Sequence, residues 1–412
     1  MKIAIIGGGA AGLMAAATIV ETNPEAEVFL IEKNDGLGKK VIISGGGRCN
    51  VTTGITDIQT VLMRYPRGGK FLSSAMHQFS PEKVYAWFES HGVPLKVEDD
   101  LRVFPQSDSG KDIVGVFEQM FERSTVHVML KAQATNIQKG DDGFIVTLKD
   151  QNEPLHVDAV ILTTGGQAFR QTGSTGDGYA FAQSLGHTIT KLAPSLNSFG
   201  TLETWTADVS GVSFQKAKIT AVGEKRYSIT GPFLFTHKGV SGPAVFALSS
   251  LVAHEEYDAA RPLEIFIDLF PNLTVDELRK EIEASIATNA KKSFENSLTA
   301  IISKSLSEVV CRELGHHISK KGGDMKKTEL IACAEWLKGI PLHVISRGAG
   351  DEFVTAGGVE LSEVNPSTME STICPGLYFA GEILNIDAFT GGFNLQGSWA
   401  TGRLAGLNAA LE

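Results

Sequence analysis

The feature that most constrains the fold is a glycine-rich turn close to the start of the chain. The apolar run Ile3 to Ile6 leads directly into the pattern Gly7, Gly9 and Gly12, and an apolar stretch typical of a helix follows. This order predicts a buried strand, a tight turn and a helix, and the turn fits G-x-G-x-x-G. In that pattern the glycines turn the chain, let a pyrophosphate approach the backbone and let the helix pack on the strand. Phosphate oxygens would then bind free amides at the positive end of the helix.

A carboxylate follows this turn at a characteristic distance. The second apolar run, Val28 to Ile31, ends in Glu32, twenty residues after Gly12. A carboxylate there can accept hydrogen bonds from both hydroxyls of an adenosine ribose. A glycine-rich turn that binds nothing would not require the acid, so strand, helix, strand and acid together predict a dinucleotide site. The residues predicted to form it are Gly7, Gly9, Ala10, Ala11, Gly12, Glu32 and Lys33.

The composition is that of an ordinary globular protein. With 412 residues the chain has room for two or three domains, since single cores stop growing near about 250–300 residues. Its formal net charge of -10 argues against a protein that holds nucleic acid by global charge, although a local basic patch could still do so. Its four cysteines show no close pairing, and no apolar run approaches the length of a membrane helix. These features predict a cytoplasmic location.

A second glycine-rich stretch carries an unusual set of side chains. Three consecutive glycines, Gly45 to Gly47, make a loop whose backbone can lie against a flat or anionic ligand, and Arg48 can offset phosphate or flavin charge. The alternative is a flexible surface loop, but such loops seldom place Arg, Cys and Asn directly behind glycines. Flavin-dependent disulfide reductases carry two cysteines in this region, whereas Cys49 stands alone, so thiol–disulfide relay chemistry is not expected. The residues added to the predicted site are Lys40, Gly45, Gly46, Gly47, Arg48, Cys49 and Asn50.

A third approach of the backbone to a ligand is predicted after the strand Ala159 to Thr163. The residues concerned are Thr164, Gly165 and Gly166. The following stretch, Thr172 to Tyr179, has two interpretations of equal weight. Its Ser, Thr and Asp side chains either cap the next helix or hold a ribityl or phosphate oxygen.

From Thr188 to roughly Leu269 apolar and polar residues alternate over short segments. This predicts an antiparallel sheet or small barrel inserted into the nucleotide-binding fold. His237 and Lys238 stand side by side in it, between glycine-flanked turns. They would be well placed as a proton donor and an anion clamp, and a structural hydrogen bond is the alternative for His237.

From Pro271 to Gly339 the pattern is mostly helical. Thr274 and Glu277 form a capping box that opens one helix, and a second helical stretch is predicted from Leu298 to Leu314. This part either covers the active site as a lid or packs passively.

Two other segments are weak candidates for ligand contacts. Arg102 to Pro105 is predicted to be an apolar turn, and its arginine is more often a salt-bridge residue than a ligand contact. His316 and His317 with Cys311 and Cys333 lack the paired spacing of a zinc site, so no metal is predicted.

The end of the chain returns to the features of its start. An apolar segment ends in Gly381 and Glu382, which resembles the second FAD signature of two-part flavoproteins, where the acid binds the ribityl chain or pyrophosphate. The stretch Thr390 to Ser398 then opens a final helix of small residues, Ala400 to Leu411. Its N-terminus can face the flavin N1 and O2 edge, where reduction builds up negative charge, so FAD rather than NAD is predicted. The residues predicted here are Gly381, Glu382, Gly392, Asn394, Leu395 and Gln396.

From end to end the chain resembles the BaiN-like family of NAD(P)/FAD-dependent oxidoreductases, some of whose members are described as aminoacetone-oxidase-like. The segments that carry the resemblance are Ile6 to Gly12, Ser44 to Asn50, Thr172 to Tyr179, Leu234 to Pro243, Thr355 to Val359 and Gly381 to Gly397. The resemblance implies an α/β fold with a Rossmann-like FAD-binding domain built from both chain ends (1–188 and 350–412), an inserted β-rich domain (189–270 and 340–349) and a helical subdomain (271–339). Asn385, Ala388 and Phe393 stand where the family often has Asp, Gly and Tyr, which leaves substrate preference open.

The sequence therefore predicts an FAD-dependent oxidoreductase that transfers hydride between flavin N5 and a small organic substrate, with an activated C=C bond as one candidate group. No second G-x-G-x-x-G occurs, so NAD(P)H, the expected reductant, would bind transiently. Arg48, Arg170, His237 and Lys238 are the candidates for proton transfer or anion binding. Two alternatives stay open: reduction of a pyrimidine in RNA, which requires a local basic surface, and a flavin-binding protein without turnover. The sequence does not determine the oligomeric state.

Overall fold

The computed structural model describes residues 1–288, 290–316, 320–348 and 352–411. The chain forms two compact units, here named the nucleotide unit (Met1–Pro194 with Glu352–Glu412) and the barrel unit (Ser195–Asp351). The division of the barrel unit into a β-rich domain and a helical subdomain, with the bounds expected above, stays a prediction.

The strands, numbered in chain order, are β1 (Lys2–Ile6), β2 (Glu27–Glu32), β3 (Thr52–Thr53), β4 (Leu95–Val97), β5 (Arg102–Pro105), β6 (Val126–Leu130), β7 (Ala134–Gly140), β8 (Gly143–Leu148), β9 (Leu155–Val157), β10 (Ala159–Leu162), β11 (Ala193–Ser195), β12 (Phe199–Thr201), β13 (Ser213–Val222), β14 (Arg226–Thr236), β15 (Gly239–Ser241), β16 (Leu263–Asp268), β17 (Ile340–Arg347), β18 (Val354–Ala356) and β19 (Leu377–Phe379).

The α-helices are α1 (Ala10–Thr22), α2 (Lys39–Ile43), α3 (Ile58–Leu62), α4 (Ser73–Gln78), α5 (Pro81–Ser90), α6 (Gly110–Phe121), α7 (Asp177–Ser184), α8 (Pro243–Leu251), α9 (Val275–Thr288), α10 (Phe294–Leu298), α11 (Lys304–Glu313), α12 (Lys327–Leu337) and α13 (Phe393–Ala409).

A five-stranded sheet with the order β19-β10-β1-β2-β6 organises the nucleotide unit. Its strand pairings are parallel. The central strand β1 is apolar and buried from Ile3 to Ile6, because a parallel sheet has both faces covered by other elements. Strands from both ends of the sequence share this sheet, which confirms the predicted Rossmann-like α/β fold.

Helix α13 packs closely on helix α1 because two glycines leave room for it. A Cβ atom on Gly402 would stand 2.3 Å from Ala11 O, and one on Gly406 would stand 2.5 Å from Ala15 O. The last helix therefore lies against the helix that follows the first glycine turn.

Two small antiparallel sheets, β3-β5-β4 and β7-β8-β9, complete this unit together with the pair β11-β18. The expectation of a turn at Arg102 to Pro105 was wrong, because this segment is the middle strand β5. Its partners include Thr52 and Thr53, which lie too far away in the sequence for a local pattern to indicate the pairing.

The barrel unit contains a closed barrel with the strand order β12-β15-β14-β13-β16-β17. Its pairings are antiparallel. Large apolar side chains, including Phe199, Phe233 and Phe235, are buried in the core of this unit. The predicted antiparallel sheet or small barrel is therefore confirmed as a barrel.

Capping residues determine where helices α9 and α11 of the barrel unit begin. Glu277 accepts a hydrogen bond from Thr274 N at 2.8 Å and Thr274 Oγ1 accepts one from Glu277 N at 3.2 Å, so the predicted capping box opens helix α9. The stretch Leu298 to Leu314 was predicted as continuously helical, and this is wrong. Ser303 caps a new helix, α11, by accepting from Leu306 N at 3.4 Å, and it separates α11 from α10.

Two findings apply to the described ranges alone. Among those residues, no helix has the length and apolar character needed to cross a membrane. In the same ranges, no group of three or more His, Cys, Asp or Glu side chains is arranged to hold a metal ion. His317, which was considered as a metal ligand, lies outside the described residues.

Candidate FAD site

The three glycines of the first turn have different structural roles. A Cβ atom on Gly7, where φ is +112°, would stand 2.7 Å from Thr163 O, and one on Gly12 would stand 2.0 Å from Gly7 O. These two positions allow strand, turn and helix to pack closely. A Cβ atom on Gly9 would meet no atom of the described residues within 4 Å. Gly9 therefore faces open space, as a backbone that receives a pyrophosphate must.

The helix that follows offers free amides toward the same turn. Gly9 is the N-cap of helix α1, it has no side chain that caps the helix, and no acidic residue stands in the first turn. The first amides, which include those of Ala10 and Ala11, are available to an anionic ligand, and the helix dipole favours negative charge there. This end of the helix fits a phosphate group.

Glu32 is buried, and its carboxylate is hydrogen-bonded to the backbone of the glycine turn. Its Oε2 accepts a hydrogen bond from Gly8 N at 2.8 Å. Its Oε1 accepts from Asn34 N at 2.8 Å and from Asn34 Nδ2 at 2.7 Å. An ionised carboxylate has about four acceptor positions, so these three bonds leave capacity for one ribose hydroxyl. The sequence had indicated the ribose contact alone.

Lys33 and the stretch Thr172 to Tyr179 are joined directly. Lys33 Nζ lies 2.7 Å from Asp177 Oδ2 and also donates to Thr175 Oγ1. Burial alone would raise the pKa of Asp177, but the bonds from Lys33 and Thr175 outweigh it, so this pKa lies below its usual value. Asp177 and Thr175 thus hold Lys33, a contact that neither interpretation of this stretch had included.

Both ends of the chain meet at Glu382. Its Oε2 lies 2.7 Å from Lys40 Nζ, and its Oε1 accepts a hydrogen bond from Thr355 N at 2.9 Å. Thr355 Oγ1 also accepts from Gln167 N at 2.7 Å, and a Cβ atom on Gly166 would stand 2.5 Å from that hydroxyl. Thr355 therefore connects the predicted residues Gly166 and Glu382, although the sequence gave no signal for this role.

Two buried hydroxyls next to these residues have no hydrogen-bond partner in the described part of the chain. They belong to Thr164 and Tyr179. Burial, and then the negative charge of Glu382, raise the pKa of Tyr179. Unpartnered buried hydroxyls are costly, and they fit a site whose polar ligand completes the network.

The second glycine loop exposes its backbone. Gly45, Gly46 and Gly47 have φ values of +58°, +74° and +91°, a conformation that glycine adopts readily. A Cβ atom on Gly46 or Gly47 would meet no described atom within 4 Å. The buried Cys49 has φ of +60°, and burial raises the pKa of its thiol to about 12. The thiol is therefore not activated as a thiolate.

Arg48 extends toward carboxylates rather than standing free. Its Nη1 lies 2.6 Å from Glu98 Oε1 and 3.4 Å from Asp108 Oδ1, and its guanidinium carbon lies 3.8 Å from the centre of the Phe104 ring. The hydrogen bond to Glu98 is the main cause that raises the pKa of Arg48. Arg48 therefore keeps its proton, which suits anion binding better than proton transfer.

The residues around the start of helix α13 hold one another. The Asn50 side-chain amide donates to Thr52 O at 3.1 Å and its oxygen accepts from Gly392 N at 2.9 Å. Asn394 Oδ1 accepts from Ala388 N and its Nδ2 donates to Ala388 O, both at 2.9 Å. Gln396 is fully buried, accepts from Thr52 Oγ1 at 2.6 Å and donates to Phe79 O at 2.8 Å.

These contacts use the Asn394 and Gln396 side chains within the protein and leave the backbone of the turn to face a ligand. Gly392, with φ of +89°, is the N-cap of α13, and no side chain caps this helix. Its first amides, which include that of Leu395, resemble those at the start of α1. The predicted cofactor contacts of Asn394, Leu395 and Gln396 stay predictions.

The four candidates for catalysis are divided between the two units. In the nucleotide unit, Arg170 Nη2 donates to Gln167 Oε1 at 3.1 Å, and Arg48 is paired as described above. His237 and Lys238 are exposed in the tight turn between β14 and β15 of the barrel unit. Their roles in catalysis stay predictions.

A parallel nucleotide-binding sheet, two uncapped helix ends and acids from both chain ends define the class of FAD-binding oxidoreductases with a Rossmann-type fold. The chain belongs to the family described as HI0933-like protein Rossmann domain, which matches residues 1–408.

Known relatives agree with this assignment. The chain is 31% identical to the 3-dehydro-bile acid delta(4,6)-reductase of Clostridium scindens over 99% of both chains. It is 27% identical to the ribosomal RNA dihydrouridine synthase of Haemophilus influenzae over 99% of this chain and 98% of that one. The resemblance to BaiN-like flavoproteins is therefore confirmed.

Solved structures support the fold. A flavocytochrome c3 fumarate reductase in its open conformation has a TM-score of 0.51 and 16% identity, and the match covers 100% of this chain and 78% of that one. The 3-ketosteroid delta1-dehydrogenase of Sterolibacterium denitrificans has a TM-score of 0.51 and 12% identity over 99% of both chains. These two structures bear on the fold alone. The family match and the 31% identical reductase confirm the predictions of an FAD cofactor and of an oxidoreductase.

Proposed function

We propose that the protein reduces an electron-poor carbon–carbon double bond in a small organic substrate and that NAD(P)H is its reductant. Bound FAD, once reduced by NAD(P)H, would supply the hydride from N5. The observation that carries the proposal is the uncapped start of helix α13, which follows Gly392 and has no acidic residue in its first turn. Amides and a positive helix end stabilise the negative charge that a reduced flavin carries. The reductase of Clostridium scindens, 31% identical, supports the substrate class.

The cationic side chains divide into two proposed roles. Arg48 holds its proton beside Glu98, so we assign it to binding negative charge rather than to proton transfer. His237 is the proposed proton donor, because its ring nitrogen can donate a hydrogen bond or a proton to a substrate. Arg170 and Lys238 remain proposed anion contacts.

Anaerobic reduction tests this function directly. The purified protein with bound FAD is mixed with NADH or NADPH, and the loss of flavin absorbance is followed. A panel of acceptors is then added, including conjugated enones and their saturated analogues as matched controls. We expect rapid reoxidation by enones and none by the saturated analogues. Reoxidation by oxygen alone would support a flavin-binding protein without turnover instead.

A lysine patch favours a second candidate, reduction of a pyrimidine in RNA. The patch consists of the exposed residues Lys292, Lys321, Lys326 and Lys327 of the barrel unit. Gly322 N donates to Lys292 O at 2.9 Å, and Ser293 pairs with Lys321, so two segments bring these lysines together. This is a local basic surface of the kind that RNA binding requires despite the net charge of -10. The ribosomal RNA dihydrouridine synthase relatives support this candidate.

Salt dependence separates the two candidates. If RNA is the substrate, affinity for a uridine-containing hairpin should fall steeply with salt, and the double variant K321E/K327E should bind at least about tenfold more weakly with a shallower slope. The matched control is K216E/K218E, a double charge reversal on the exposed face of strand β13. Equal effects of the two variants would leave the small-molecule reaction as the function.

We also propose a cytoplasmic location. The four cysteines are free thiols, which suits a reducing compartment.

A further inference from the structure

A short loop that the sequence did not point to lies against the start of helix α13. Residues 64–68 lie within the connection between helices α3 and α4 and are here named the brace. Arg64 O accepts a hydrogen bond from Phe389 N at 2.9 Å. Tyr65 Oη donates to Phe393 O at 2.5 Å, and Phe393 is the first residue of helix α13. The brace therefore contacts both the turn before the helix and the first turn of the helix itself.

A two-pronged ion pair anchors the brace. Arg67 Nε donates to Asp387 Oδ1, and Arg67 Nη2 donates to Asp387 Oδ2. The side chain of Asp387 is fully buried and that of Arg67 is 17% exposed. Such a pair fixes orientation as well as distance, because the guanidinium and the carboxylate meet along two parallel bonds. A Cβ atom on Gly68 would stand 2.3 Å from Ile386 Cγ2, so the loop lies directly on the segment that it holds.

The segment held in this way leads to the free amides of helix α13. It runs from Ile386 through Gly392, and the Asn394 side chain closes it by two hydrogen bonds to the backbone of Ala388. Its two ends are thus fixed by Asp387 on one side and by Phe393 on the other. These contacts fix the turn that leads into the amide end of α13, which has no capping side chain of its own.

We propose that the brace positions the amide end of helix α13 against the flavin edge that becomes negative on reduction, and that Tyr65, Arg67 and Asp387 are positioning residues. This rests on FAD binding in the nucleotide unit with the α13 end at N1 and O2. Displacing the amides weakens their interaction with the reduced flavin more than with the oxidised one, because the reduced form carries the charge. The midpoint potential of the bound flavin then becomes more negative.

Two variants of graded severity test the brace. Tyr65→Phe removes one hydroxyl and keeps the buried ring, and the double variant R67Q/D387N removes the ion pair without a change in net charge. The matched control is Arg403→Gln, because Arg403 Nη1 pairs with Glu21 Oε2 toward the other end of the same helix. For each holoenzyme the affinity for oxidised FAD, the midpoint potential and the melting temperature are measured.

We expect both brace variants to have a more negative potential, corresponding to at least about threefold weaker binding of reduced relative to oxidised FAD, with the larger change in R67Q/D387N. Arg403→Gln should lose stability without a change in potential. Unchanged potentials in both brace variants, with wild-type FAD binding intact, would overturn the positioning role and leave the function in place. A wild-type protein that fails to bind FAD would overturn the cofactor site and the brace together.

Discussion

At the scale of single residues, the site is shaped as much by missing side chains as by present ones. Gly7 and Gly12 have backbone atoms where a Cβ would stand, whereas Gly9, Gly46 and Gly47 face open space. The first kind of glycine serves the packing of the protein, and the second kind serves a ligand. A sequence pattern does not distinguish these two kinds, because both are written with the same letter.

The substitutions G9A and G12A should therefore have different effects: the first should weaken FAD binding, and the second should lower the stability of the protein. At Gly9 φ is -84°, which any residue adopts, so G9A should keep its apo melting temperature and bind FAD at least about tenfold more weakly, because its methyl group occupies the pyrophosphate position. At Gly12 a Cβ would stand 2.0 Å from Gly7 O, so G12A should lose about 1–3 kcal/mol of stability or more. Thermal unfolding without cofactor and FAD titration measure the two effects. A similar loss of apo stability in G9A would contradict this division.

The buried side chain of His187 should make the free energy of unfolding depend on pH. Its Nε2 lies 2.8 Å from Ser371 Oγ, which already accepts from Cys374 N at 2.7 Å, and its Nδ1 lies 3.2 Å from Glu363. Burial lowers the pKa of His187 below 6.5 although Glu363 acts in the opposite direction. Below about pH 6.5 the unfolded state then binds more protons than the folded state, so the free energy of unfolding should decrease as the pH falls.

Denaturant unfolding between about pH 5 and pH 7.5 measures this slope. H187Q should have a flatter slope than the wild type. H156Q is the control, because His156 is an exposed residue of strand β9. A slope that is the same in H187Q and in the wild type would show that other groups cause the pH dependence.

At the scale of elements, the start of a helix was predictable where its capping residues are local, whereas the short strand β5, whose partners are distant, was not. Thr274 and Glu277 lie three residues apart, so the start of α9 could be predicted. Ser303 caps α11 in a similar way. The break before α11 was not predicted, because the helical pattern from Leu298 to Leu314 extends across it. Strand β5 was mistaken for a turn because it pairs with segments elsewhere in the sequence.

Helix packing provides a matched pair of glycine substitutions. G406A would place a methyl group 2.5 Å from Ala15 O at the contact of α13 with α1, so it should destabilise the protein by about 1–3 kcal/mol. A Cβ atom on Gly115, inside helix α6, would meet no described atom within 4 Å. G115A should therefore stabilise the protein by up to about 1 kcal/mol, because alanine favours the helix. Chemical denaturation measures both, and equal signs would contradict the packing argument.

At the scale of the whole molecule, the sequence was most informative where the residues that form a feature are neighbours in the chain. The parallel sheet, the barrel and the glycine turns could be predicted from short patterns. Thr355, Tyr65, Arg67 and Asp387 could not, because each acts through a partner far away in the sequence. Arg48 was recognisable in the sequence, but its partner Glu98, 50 residues away, was not.

The sharing of one sheet by β1 and β19 has a consequence for biosynthesis. Until β19 and α13 have left the ribosome, the nascent chain lacks Glu382 and the second uncapped helix end, although the first glycine turn emerged long before. We therefore expect cofactor capture to be a late event, because a ribosome stalled within the barrel unit would hold a chain that has the first glycine turn and the loop at 45–47 but lacks the predicted contacts at 381–396.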